Sequence, residues 1–118
     1  MKAVILFGHG SRDPLWRLPM ETVAARLRAQ HPDVAVRCAY LELDAPDLAT
    51  AAGDVVAAGA DRVTILPMFL GTGRHAREDL PDLVQGLQTT HPGVTFVLQK
   101  AVGEDSRVLD LIAKIALE

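Results

Sequence analysis

Two of the four histidines in this chain, His9 and His75, follow a pair of glycine-bearing turns after apolar runs, and they carry most of the chemistry its side chains could perform. His9 stands between Gly8 and Gly10 in the run Gly8-His9-Gly10-Ser11-Arg12-Asp13-Pro14, and His75 closes the run Gly71-Thr72-Gly73-Arg74-His75. Glycine lets the backbone approach a ligand closely and adopt turns that a side chain forbids. A neutral imidazole near pH 7 is the commonest side-chain ligand for divalent transition metals. Glu42, in Leu41-Glu42-Leu43-Asp44, adds a carboxylate. If the fold brings His9, His75 and Glu42 together they form an open N,N,O metal site; if it does not, they are polar groups on solvated turns. Neither histidine has the H-E-x-x-H spacing of a dedicated zinc motif.

Other chemistries compete for the same residues. Glycine-rich loops between strand and helix present N–H groups to phosphates, but this chain has neither G-x-G-x-x-G nor the Lys-Ser/Thr of a P-loop. Ser11 does not stand in the G-x-S-x-G of a serine hydrolase. Leu6-Phe7-Gly8-His9-Gly10 also resembles the histidine phosphatase and phosphoglycerate mutase group, in which His9 would be a nucleophile. That group places an arginine before the histidine, and here the position is Gly8. The other two histidines recur in Gln30-His31-Pro32-Asp33-Val34 and Thr90-His91-Pro92-Gly93-Val94, where a His ends a helix near its negative dipole end and Pro stops it; they read as structural.

The elements that position these loops follow from the apolar pattern. Ala3 to Phe7, Val34 to Tyr40, Val63 to Leu70 and Val94 to Leu98 are short β-branched runs, apolar on both faces, as buried parallel strands are. Met20, Val23, Ala24 and Leu27 have helical spacing, as do Leu48, Ala51, Ala52 and Val55, then Leu80, Leu83, Val84 and Leu87, and finally Leu109, Ile112, Ala113 and Ala116. The order βαβαβαβα predicts an α/β fold, a doubly wound, mostly parallel four-stranded sheet with helices on both faces. Gly59 marks the end of the second helix, and Asp79 is placed to cap the third with Pro81 in its first turn. Ligands of such sheets bind beyond the carboxyl ends of the strands, so His9, Glu42 and His75 all fall on one edge.

With 118 residues, 49% of them apolar and 23% charged, the chain is expected to make one domain, residues 1–118, around a single aliphatic core. A mean hydropathy of +0.18 is inconsistent with disorder. A net charge of −3 is not that of a nucleic-acid binder. The lone Cys38 forms no internal disulfide, and no segment has the length of a signal peptide core or a membrane span. The expectation is a cytoplasmic protein bound to neither nucleic acid nor membrane.

Taken together, three segments resemble the class II chelatases, in particular the short form of the sirohydrochlorin cobaltochelatase and ferrochelatase family. They are Val4-Ile5-Leu6-Phe7-Gly8-His9-Gly10-Ser11-Arg12; Ala39-Tyr40-Leu41-Glu42; and Leu66-Pro67-Met68-Phe69-Leu70-Gly71-Thr72-Gly73-Arg74-His75, followed by Asp79-Leu80-Pro81. The resemblance implies ATP-independent insertion of a divalent metal into sirohydrochlorin, cobalt favoured and iron or nickel possible, with no cofactor beyond that substrate metal. It implies that His9 and His75 hold the ion and that Glu42 is a third ligand or a proton acceptor. Ser11, Arg12, Gly73, Arg74 and Arg77 would contact the polycarboxylate macrocycle, with Arg17 in the same cluster. A metal or tetrapyrrole carrier is the alternative use of such a site. Longer members carry two such domains, so the resemblance also implies a homodimer. Near Gly103 the chain departs from the family, with Glu104-Asp105-Ser106-Arg107 where the family often has a further His-Pro or similar polar turn.

Overall fold

The apolar runs form four strands, β1 (Lys2–Gly8), β2 (Ala35–Tyr40), β3 (Arg62–Pro67) and β4 (Thr95–Leu98), in a computed structural model. It describes the backbone of residues 1–118 and every side chain except that of His75. The strands alternate with α1 (Leu18–Gln30), α2 (Leu48–Ala57), α3 (Arg74–Thr90) and α4 (Ser106–Leu117). All pairings are parallel, in the order β2-β1-β3-β4. The two central strands are therefore β1 and β3; the loop after β1 carries His9, and the loop after β3 leads into the helix that begins with Arg74 and His75. No helix among the described residues is long and apolar enough to cross a membrane.

Two cores sandwich the sheet. Ala3, Ile5, Phe7, Val63 and Ile65 face α2 and α3, meeting Leu48, Ala51, Ala52, Val55, Leu80 and Leu87. Leu6, Val36 and Tyr40 face the other way, onto Met20 and Ala24 of α1. Asp47 caps α2 by accepting the Thr50 N–H at 2.8 Å. Gly59, at φ +108°, makes the left-handed turn after that helix.

His31 and His91 occupy the same turn. Each donates its N–H to the carbonyl four residues back (Leu27 at 2.8 Å, Leu87 at 2.9 Å) and accepts from the residue three ahead (Val34 and Val94, both at 3.0 Å). Three residues before each histidine, a side chain then dresses an edge strand. The Arg28 guanidinium donates to the Val36 carbonyl at 2.8 Å. The Gln88 amide donates to Val94 at 2.6 Å and accepts the Phe96 N–H at 3.3 Å, standing in for a missing neighbour strand.

Three expectations need correction. β3 stops at Pro67 rather than Leu70: the Met68 N–H still donates to the Phe7 carbonyl at 2.7 Å, but the next carbonyls, of Gly8 and His9, accept from Leu41 and Glu42 beyond β2. The third helix starts at Arg74 with Gly73 as its N-cap, so Asp79 is not a cap and Pro81 lies inside the helix. The capping reading rested on the apolar spacing that begins at Leu80, but the helix extends a turn and a half further back through polar residues.

The last correction concerns coverage of the sheet. α4 buries none of its residues, and its main neighbour is the short 3-10 turn Val102–Glu104 that precedes it. Thr64, Leu66, Met68 and Val97, on the α1 side of β3 and β4, are consequently only half-buried. A radius of gyration of 14.5 Å, against about 13.5 Å expected for a compact chain of this length, agrees with a helix standing off the body.

Candidate active site

The loops after β1 and β2 extend the sheet past its formal end. The Leu41 N–H donates to the Gly8 carbonyl at 2.9 Å and the Glu42 N–H to the His9 carbonyl at 3.0 Å. Gly8 is needed for packing, since a Cβ there would stand 2.6 Å from the Met20 sulfur and 3.1 Å from the Trp16 ring. Met20 is buried in the α1 core, and Trp16 lies 6.2 Å from the Tyr40 ring, so both pack the base of the first loop.

The His9 imidazole is exposed and leans on Phe69, the two rings tilted 38° to each other. Its ring centroid is 4.5 Å from that of Phe69, which is buried and makes an edge contact with Phe7 at 6.1 Å. The imidazole thereby forms one wall of a cavity of about 220 Å3 shared with Leu41, Phe69, Arg74, Asp79 and Leu83. That volume is below the roughly 300–1,000 Å3 of pockets that enclose a small molecule. A large flat ligand would have to lie across its mouth. The surroundings suit such a ligand: Leu41 and Leu83 line the cavity and are 43% and 41% exposed, and Leu43 and Leu70, in the loops after β2 and β3, are 54% and 68% exposed.

Of the remaining residues expected at the site, Gly73 and Arg74 line this cavity and Glu42, Ser11, Arg12 and Arg77 do not. Glu42 is exposed on the neighbouring loop, outside the cavity lining. His75 is the second residue of α3, so its backbone is at the same edge; its side chain lies outside the described residues. Among the described residues no group of three His, Cys, Asp or Glu side chains is gathered for a metal. Gly73 caps α3 and lines the cavity, and Arg74 pairs with Glu78 at 3.2 Å while its chain borders the same space. Arg12 and Arg77 are exposed. The Ser11 hydroxyl accepts the Asp13 N–H at 3.1 Å, a turn-forming bond.

Sequence reasoning missed Asp44. Its carboxylate accepts the Ser11 N–H at 3.1 Å and the Arg17 guanidinium at 3.1 Å, clamping the second loop to the first. Arg17 also meets Glu21 at 3.0 Å, so its charge is already balanced within the protein. The only hint in the sequence was a carboxylate two residues after Glu42, which does not reveal a partner 33 residues away. Burial pushes the Cys38 thiol up from its ordinary pKa and carries the neighbouring Tyr40 phenol to about 12. Neither offers an anionic ligand near neutral pH.

An open parallel sheet with an imidazole, apolar rim and glycine-built loops at the strand C-termini defines an α/β protein of the chelatase-like class. The chain belongs to the CbiX family, whose profile matches residues 3–118. It is 26% identical to the sirohydrochlorin cobaltochelatase of Methanococcoides burtonii over 123 residues, covering 98% of this chain and 94% of the relative. The crystal structure of a CbiX protein from Marinobacter aquaeolei VT8 superposes with a TM-score of 0.79 at 30% identity, covering 99% and 95% of the two chains. SirB from Bacillus subtilis with Fe3+ superposes at 0.77 and 26% identity, covering 96% of this chain and 45% of the larger protein.

Proposed function

We propose that this protein inserts a divalent metal, cobalt foremost and iron or nickel as alternatives, into sirohydrochlorin without ATP. The observation that carries the reading is the His9 imidazole, in contact with Phe69 on the wall of an apolar-rimmed cavity, in a chain of which 98% is matched by a relative named sirohydrochlorin cobaltochelatase. His9 and His75 hold the ion as neutral imidazoles, leaving coordination positions for the macrocycle nitrogens. Glu42 serves as a further oxygen ligand. The macrocycle lies over the leucine rim, and Arg12, Arg74 and Arg77, with Ser11 and Gly73, receive its carboxylates. The reaction belongs in the cytoplasm.

The working form is a homodimer of single-domain chains. What supports this is a matched pair of bare surfaces: the apolar stripe of α4 and the half-buried β3–β4 side of the sheet. In a two-fold pair each copy's α4 would cover the other's half-sheet, an isologous arrangement. SirB is about twice as long as this chain, with 45% of it covered by the match, which leaves room in one chain for a second unit of this size.

The test is insertion itself. Purified protein with sirohydrochlorin and Co2+ should convert the absorbance spectrum faster than the blank, and His9→Ala should slow it by about 100-fold or more. Rates equal to the blank for cobalt, iron and nickel would overturn the reading. Binding without acceleration would identify a carrier, and metal-independent phosphate release with a phosphorylated His9 would identify a phosphohydrolase.

A further inference from the structure

We infer that Asp79 accepts the pyrrole protons released on metal insertion, an assignment that rests on the chelatase reading above. The sequence pattern made Asp79 a helix cap, and the structure removes that role: Gly73 caps α3, and Asp79 lies in its second turn. Its neighbours Ala76, Leu80 and Leu83 line the same cavity, so this face of α3 is the one turned toward His9. Asp79 therefore lines the same cavity as His9, whereas Glu42, equally exposed, lies outside the lining. Position 79 is also one helical turn after position 75, hence adjacent to it on the helix.

The chemistry requires such a group. A neutral imidazole has a single acceptor nitrogen, and one that binds the metal through it has nothing left to take a proton. Each insertion breaks two pyrrole N–H bonds and forms two metal–nitrogen bonds in their place, so two protons must leave while the dication is neutralised. They pass one after the other to the Asp79 carboxylate, and each is handed on to water, because Asp79 is exposed on its outer side. The other ionisable groups on this wall among the described residues are His9 and Arg74. Arg74 has no acceptor and its guanidinium bonds Glu78.

The experiment compares wild type, Asp79→Asn, Asp79→Glu and Asp79→Ala in steady-state insertion of Co2+ into sirohydrochlorin. Asp79→Asn should lose about 100-fold in kcat, the usual worth of a general base, with KM for Co2+ unchanged. Asp79→Glu should retain part of the rate. Added formate should restore Asp79→Ala in proportion to its concentration, which a merely structural role would not produce. The role is overturned if Asp79→Asn keeps kcat within about threefold of wild type, if only the KM for Co2+ moves, or if formate has no effect. A wild type that inserts no metal overturns the chelatase reading and this role together, whereas an active wild type with an equally active Asp79→Asn overturns the role alone.

Discussion

Gly10 and Glu42 meet backbone to backbone: a Cβ on Gly10 would stand 1.6 Å from the Glu42 carbonyl oxygen, and Gly10 itself has φ +94°. The loop that carries His9 and the loop that carries Glu42 are thus one unit, tied by the Glu42 N–H to the His9 carbonyl and by the Asp44 clamp on Ser11. Gly10→Ala violates both the dihedral and the contact. It should cost more than about 1 kcal/mol of stability, the scale for alanine at positive φ, and should abolish insertion by displacing His9. Urea denaturation checks this, and an unchanged midpoint would contradict it.

Gly103 performs a similar service for the loop after β3. Its N–H donates to the Phe69 carbonyl at 3.0 Å, and a Cβ would lie 1.5 Å from the Leu70 carbonyl oxygen. Gly86, inside α3, has open space around it. Gly103→Ala should therefore destabilise the protein and lower activity, since Phe69 contacts His9. Gly86→Ala should stabilise it by about 0.5–1 kcal/mol through helix propensity alone. Thermal melts of the pair read the contrast directly, and similar shifts in both would refute it.

Strands β1 to β4 were legible because buried parallel strands are apolar on both faces, and His9 was legible because two glycines flank it. Asp79 is misread for a local reason: Pro81 and the apolar spacing from Leu80 onward look like a helix start, and they outweigh the helix-forming Ala76, Arg77 and Glu78 and the i,i+4 pair of Arg74 with Glu78 that mark the true one. α4 was read correctly as an amphipathic helix, but periodicity specifies that a stripe exists, not what covers it. The Asp44 clamp and the Phe69–His9 contact join residues far apart in the chain, and only the sheet order brings them together.

Asp105 makes the start of α4 sensitive to acid. Its carboxylate accepts from the Arg107 guanidinium at 2.7 Å and from the Arg107 N–H at 2.8 Å, and these bonds, the side-chain ones foremost, hold its pKa at about 2. A carboxyl depressed on folding contributes stability fully above its unfolded pKa of about 3.9 and loses it as pH falls through the folded value. The cap should weaken between about pH 4 and about pH 2. Hydrogen-exchange protection in the first turn of α4, taken relative to the intrinsic rate at each pH, should fall over that window in wild type and show no such step in Asp105→Asn. A step of equal size in both would assign it elsewhere.

The face of α4 gives the sharpest test of assembly. Leu109, Ile112 and Ile115 are 41–59% exposed, and the helix contributes nothing to either core. If each α4 covers the half-sheet of a second copy, the two-fold contact reaches the order of 800 Å2 per partner typical of stable complexes. Ile112→Glu places a charge in the middle of that contact and nowhere near the monomer's own cores. Sedimentation should then shift from twice the chain mass toward 12.7 kDa, with dissociation strengthened about 100-fold by a desolvated, unpaired carboxylate. The far-UV spectrum of α1 to α3 should be unchanged, because those helices are held by Leu48, Val55, Leu80, Met20 and Ala24 rather than by α4. An Ile112→Glu protein that still sediments as a dimer would show that the copies meet through another surface, the leucine rim above His9 being the next to examine by Leu41→Glu.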